Sequence, residues 1–245
     1  MRALGSLIIF ILFLISGYSF AYQKEEKSPS KKLTIIFNHI IAKKKLVLDE
    51  FTINPLGEKM SVHNFKYYVS NFSVTNDNGE ISKLPIQYFL IDESVASSKR
   101  IVFTIPDMPI SKINYFIGVD SIQNVSGIQT GPLDPLNGMF WTWNTGYIMA
   151  KLEGVSPMST SVGNRFTYHI GGYREGMKTA KNIELKLAPT PRSIHEIQIN
   201  VNIDFWFKNK TEISISSTPV CHSPGDLAMR IADNYSSMFS IKSIQ

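Results

Sequence analysis

The sequence predicts an all-β protein, a single antiparallel β-sandwich with a short C-terminal helix. Short runs alternate large apolar with polar residues, the two-residue period of a strand with one buried face. Gly, Asn, Pro and Asp bound those runs at the close, even spacing of sandwiches and barrels. Only one stretch, near the C-terminus, carries a helix signal. At 43% hydrophobic and 11% aromatic, the 245 residues suit a packed globule, not a disordered secreted chain.

In chain order, Arg2 precedes an apolar run from Leu7 to Ile15, then Ser16-Gly17 and Ser19-Phe20-Ala21. That is the order of a secretory signal peptide over residues 1–21, with cleavage after Ala21; an uncleaved anchor is the weaker reading. No cysteine lies near the cleavage region, so lipid modification there is not expected. Periplasmic or secreted localisation follows, with no stable membrane insertion after cleavage. Residues 22–32 are charged, Ser/Pro-containing and aperiodic, and read as a flexible linker. The sandwich domain is expected over 33–245.

The first strand is expected at Leu33, where Leu33, Ile35, Phe37 and His39 share one face. Further strands are expected at Phe65 to Thr75, Ile86 to Asp92, Arg100 to Ile105, Lys112 to Val119, Tyr147 to Leu152, Arg165 to Ile170, Asn182 to Leu187 and Ile194 to Phe207. Asn76-Asp77-Asn78-Gly79 tolerates positive φ and should close a hairpin after Thr75. In the longest run, Ile197 to Phe207 set one apolar face against a wet face that includes Trp206. Ser223 and Asp226 form a capping pattern with Pro224 at the first helical position, and Leu227, Ile231, Asn234 or Tyr235, and Met238 follow at helical spacing.

The charge balance, 25 basic against 20 acidic side chains, becomes +4 once Arg2 leaves with the leader. Its lysines cluster at 24–32 and 43–45 and form no stripe, so nucleic-acid binding is not expected. Cys221 is the only cysteine, which excludes an intrachain disulfide. No Gly-x-Ser-x-Gly elbow, phosphate-binding loop or His-Glu-x-x-His is present, and no enzymatic activity is expected.

The segment from Gly118 to Tyr147 departs from all of this, with glycines, prolines, amides, Trp141 and Trp143 and almost no aliphatic periodicity. Its Asp120, Ser121, Asn124, Asp134 and Asn137 concentrate oxygen donors that build turns or hold a structural calcium ion. The five histidines, His39, His63, His169, His195 and His222, include no pair at metal-motif spacing. Cys221 and His222 are adjacent and should point to opposite faces, so they are left out of any shared site. His63 and His195 are assigned surface or strand-edge positions.

Phe37-Asn-His39, Tyr67-Tyr-Val-Ser-Asn71, the Gly118 to Tyr147 block, Lys151-Leu-Glu-Gly154, Tyr168-His-Ile-Gly-Gly172 and Ala232-Asp-Asn234 follow one another in an order that resembles the MbnP-like family. These landmarks extend over nearly the whole chain after the leader. The resemblance implies a periplasmic copper-binding protein in which His39 and His169 converge on the ion. It implies that Trp141 or Trp143, oxidised to kynurenine by a haem enzyme, supplies the third ligand. An intact indole N–H only donates, so ring opening to an aromatic amine is what creates a metal donor. The competing reading is a noncatalytic domain that binds glycan or protein through exposed aromatics, for which the two tryptophans are equally suited.

Overall fold

The computed structural model describes residues 29–144, 146–188 and 194–245; the expected leader and residues 22–28 of the expected linker lie outside the described residues. Its strands are β1 (Ser30–Ile41), β2 (Lys44–Lys45), β3 (Phe51–Ile53), β4 (Lys59–Thr75), β5 (Ile81–Lys83), β6 (Tyr88–Asp92), β7 (Arg100–Pro106), β8 (Lys112–Ile117), β9 (Phe140–Trp141), β10 (Gly146–Val155), β11 (Arg165–Gly171), β12 (Lys181–Lys186), β13 (Glu196–Asn202), β14 (Val220–Cys221) and β15 (Phe239–Ile244). The α-helices are α1 (Ser121–Val125), α2 (Asp204–Phe207) and α3 (Asp226–Tyr235).

Two sheets form. The smaller runs β15-β13-β1-β2 with β7 also on β1; the larger runs β12-β8-β4-β10-β11-β14, with β3, β5 and β6 on the long β4 and β9 on β10. Alternation puts Leu33, Ile35 and Phe37 of β1 into the space between the sheets, where they join Phe65, Tyr67, Leu152, Phe166 and Tyr168 from the larger sheet. Phe37 meets Tyr67 and Tyr115 edge to face, each at 6.1 Å.

The expected all-β sandwich is found, with mixed strand directions. β1 and β13 run parallel, with Ile35 opposite Ile197 and His39 opposite Val201, and β14 lies parallel to β11. A hairpin cannot join two parallel strands, and here most of the larger sheet intervenes between β1 and β13 in sequence. Residues 30–32 of the expected linker belong to β1, tied down by Lys31 to Asp107 (3.3 Å) and Lys32 to Thr104 (3.1 Å). The Asn76 turn closes early, on β5, through an Asx turn from Asn78 N to Asn76 Oδ1.

Two further differences concern the C-terminal third. The expected long strand ends at Asn202, and α2 turns Trp206 from the expected wet face into the core, where it is fully buried. Among the described residues its Nε1 has no hydrogen-bond partner. Burying an indole is worth about 5 kcal/mol, more than the roughly 1–3 kcal/mol that an unpaired donor costs, so packing wins. The helix α3 starts one residue past Gly225 and has no side-chain cap, so Ser223 does not cap it. Ile231 and Tyr235 are buried as its spacing predicts, and the chain then returns as β15, a strand not foreseen in the sequence.

The Gly118 to Tyr147 segment folds over the opposite face of the larger sheet. There Val119, Leu133, Met139, Trp141 and Tyr147 make a second apolar cluster with Tyr68, Ile148 and Met149. Gly118 permits this close cover: at φ 117°, a Cβ there would lie 3.0 Å from Ala180 Cβ and from Met149 Sδ. The larger sheet therefore has an inner face on the main core and an outer face partly under this cap.

Candidate metal centre

Phe166, Tyr168 and Ile170 of β11 are buried in the main core, so His169 between them projects from the outer face. Its Nε2 lies 2.5 Å from Glu153 Oε1 on the neighbouring β10, and Asn64 donates to Glu153 Oε2 at 2.7 Å. The His169 hydrogen bond, against an opposing effect of burial and with help from Asn64, pulls the Glu153 carboxyl down to about 2. An ionised carboxylate only accepts, so Nε2–H donates to it, and in the neutral ring the lone pair is on Nδ1. No described residue hydrogen-bonds to that Nδ1.

His222 stacks on His169, with ring centroids 4.3 Å apart and planes 25° apart. The expected opposition of Cys221 and His222 is present: Cys221 is buried and His222 is exposed. Parallel register pairs Tyr168 with Cys221, both inward, and thereby sets the next residues, His169 and His222, side by side outside. Sequence reasoning discarded His222 because it tested the wrong neighbour; only the β11–β14 pairing reveals the partner. Partial burial lowers the pKa of His222, and the nearby His169 and Lys151 add to that while Glu153 opposes it. Neutral imidazole, the metal-binding form, is thereby favoured.

Trp141 lies across β11 from above. A Cβ on Gly171, two residues along from His169 and on the same face, would meet the Trp141 ring at 2.6 Å. Trp141 is buried and Trp143, in the following turn, is 64% exposed; their rings sit 5.4 Å apart. With Tyr147, Tyr173, Met177 and Pro224 they line a pocket of about 170 Å³.

His39 does not join this group. It projects from β1 into the space between the sheets, 3% exposed, with its ring against Phe65 at 4.8 Å. Nδ1 lies 2.5 Å from Glu93 Oε2 and Nε2 lies 3.0 Å from the Tyr67 hydroxyl. Burial holds the His39 pKa below the ordinary imidazole value and that of Tyr67 well above the ordinary phenol value. Burial also works against ionisation of Glu93, but hydrogen bonds from His39 and Lys99 outweigh it and hold this carboxyl low. The consistent assignment is therefore a neutral His39 that donates from Nδ1 to an ionised Glu93 and accepts from Tyr67, with both nitrogens occupied. Tyr67 is on the inner face of the larger sheet and His169 on the outer, so the sheet stands between the two histidines.

The oxygen-rich residues of the cap have protein partners. Asp120 caps α1 through Gln123 N and accepts from Tyr88; Asn124 bonds to Val119, Asp120 and Tyr147; Asp134 accepts from Leu136 N; Asn137 donates to Gly131. These side chains build turns and caps. Among the described residues, no group of three or more His, Cys, Asp or Glu side chains is placed to hold a metal ion, and no helix is long and apolar enough to cross a membrane.

Fold and site together define a β-sandwich whose outer face carries an imidazole pair beside a tryptophan-bearing cap. The sequence model of the MbnP family matches residues 30–223, and the chain belongs to that family. The solved structure of MbnP from Methylosinus trichosporium is similar to it, with a TM-score of 0.54 and 12% identity over 75% of this chain and 80% of that one. At this identity the likeness is one of fold. Comparison with curated proteins gives no match.

Proposed function

We propose that this is an exported copper-binding protein, acting in copper acquisition or handling without catalysing a reaction, with its site on the outer face of the larger sheet. The observation that carries the reading is the His169–His222 pair beside Trp141 and Trp143. Family membership supports copper as the ion. Two neutral imidazoles suit cuprous or cupric copper, and Glu153 orients His169 as carboxylates commonly orient metal-binding histidines. The residues fit after one adjustment: stacked rings aim their lone pairs side by side, so the exposed His222 turns about its side-chain torsions to converge with His169 Nδ1. Such rotations take picoseconds to nanoseconds. One tryptophan, oxidised to kynurenine by a haem enzyme, completes the site. His39 stands outside the site in this reading.

Competition titration with copper tests it. His169→Ala and His222→Ala should each weaken binding at least tenfold, whereas His39→Gln, if folded, should bind as wild type. Equal affinity in the His169/His222 double variant would overturn the reading. Protein from the native host should carry a gain of about 4 Da on one tryptophan, because intact indole offers no lone pair.

The aromatic pocket favours a second reading, glycan or protein recognition through Trp143 and Tyr173. A silent copper titration together with an oligosaccharide-dependent shift in tryptophan emission would select it.

A further inference from the structure

A second concavity lies on the other sheet. It opens along β1, between the β1–β2 turn and the Arg100 end of β7, holds about 600 Å³, and is rimmed by Lys43, Lys45, Lys99, Arg100 and Lys242. We propose that it binds a small polyanion, a ligand with clustered phosphate or carboxylate oxygens.

Basic side chains outnumber acidic ones in the cleft. Glu93 is the only acidic residue among those lining it, and it is already held by Lys99 at 2.7 Å and His39 at 2.5 Å. Arg100 reaches Glu196 only at 3.4 Å. Lys43, Lys45 and Lys242 have no ion-pair partner among the described residues. A concave surface with this excess of one sign concentrates its field and draws in counter-charge.

The floor offers donors of the matching kind. Asn38 of β1 and Asn200 of β13 are in register and both line the cleft, and the Asn38 amide makes only a marginal 3.5 Å contact, to Ile199 O. The rim is fixed in place: Ala42 and Lys43 close the β1–β2 turn with φ of 47° and 63°, and the Asp204 carboxylate holds Ala42 N at 3.0 and 3.2 Å. Holding two non-glycine residues in the left-handed region costs stability, yet it sets Lys43 and Lys45 at one mouth of the cleft while Lys242 enters from β15. The volume suits a small molecule. Nucleic acid needs an extended basic track, which this confined cluster does not supply.

Calorimetry on the mature protein without copper, at low salt, tests the proposal with inorganic pyrophosphate as the phosphate source and citrate as the carboxylate source. One or both should bind saturably at one site, and whichever binds more tightly identifies the ligand chemistry. Affinity should fall at least tenfold in the Lys43→Glu/Lys45→Glu/Lys242→Glu variant. Lys112→Glu/Lys178→Glu, altered away from the cleft, should bind as wild type. If the triple reversal does not fold by circular dichroism, the corresponding Lys→Gln variant should still lose at least threefold. No saturable binding of either anion, an equal loss in the control variant, or binding confined to vesicles of anionic lipid would each overturn the proposal. His169 and His222 are not in this cleft, so its failure leaves the copper reading intact.

Discussion

His39 and His169 occupy the same local setting twice over: each is a strand histidine with a carboxylate 2.5 Å from one ring nitrogen. They differ in what the other nitrogen meets. In His39 it accepts from Tyr67 within a dry core; in His169 it faces outward beside a second imidazole. Residue type and strand alternation make a histidine available to a metal only when a lone pair is left over. The space between the sheets uses imidazole to satisfy buried polar groups, and the outer face of the larger sheet leaves a nitrogen uncommitted.

The largest test of this contrast is His39→Ala. It removes a partner from Tyr67 and from the buried Glu93, and should lower unfolding free energy by about 3 kcal/mol in urea titration. A loss below 1 kcal/mol would break the view of His39 as a structural group. Next, Gly171→Ala drives a methyl into Trp141 and should cost about 1–3 kcal/mol through overpacking, with a shift in tryptophan emission.

Acid titration should separate the two histidine–carboxylate pairs. The lowered pKa of His39 means the unfolded chain takes up its proton more readily, so this stability is complete above about pH 6.5 and is lost as pH falls through the folded value. His39→Gln should flatten that part of the curve. Glu153 contributes above about 4.5, and its share is lost only as pH falls toward about 2. Smallest of all, His169→Ala and His222→Ala should each change stability by less than about 1 kcal/mol, as expected for a partly solvated pair. A larger loss would make His169 structural too.

Much of this architecture was legible in the sequence because two-residue alternation reports which side of a strand is dry. It placed His39 on a face with Leu33, Ile35 and Phe37, whereas the convergence of His39 with His169 came only from the family resemblance, and the sheet between them rules that out. What alternation cannot report is which strands become neighbours. The β11–β14 pairing that brings His222 to His169 joins residues more than fifty positions apart, and no spacing rule encodes it. Trp206 was misplaced for a related reason: extended periodicity continued on paper through Asp204, where the backbone turns into α2. The landmarks around Trp141 and Trp143 pointed to the family, but not to Gly171 as the gap over which the indole lies.

The parallel pairing of β1 with β13 also sets a timetable. A chain emerging from the ribosome presents Leu33, Ile35 and Phe37 early, yet Ile197, Ile199 and Val201 of their central neighbour arrive some 160 residues later, and β15 later still. At 5–20 residues per second, that interval is on the order of ten seconds or more. Throughout it, β1, with its row of Leu33, Ile35 and Phe37, waits without its parallel neighbour, a long-range closure of the slow-folding kind. A chain cut short before β13 would have β2 and β7 to pair with β1 but would leave its β13 edge, Thr34 to Ile40, without backbone partners.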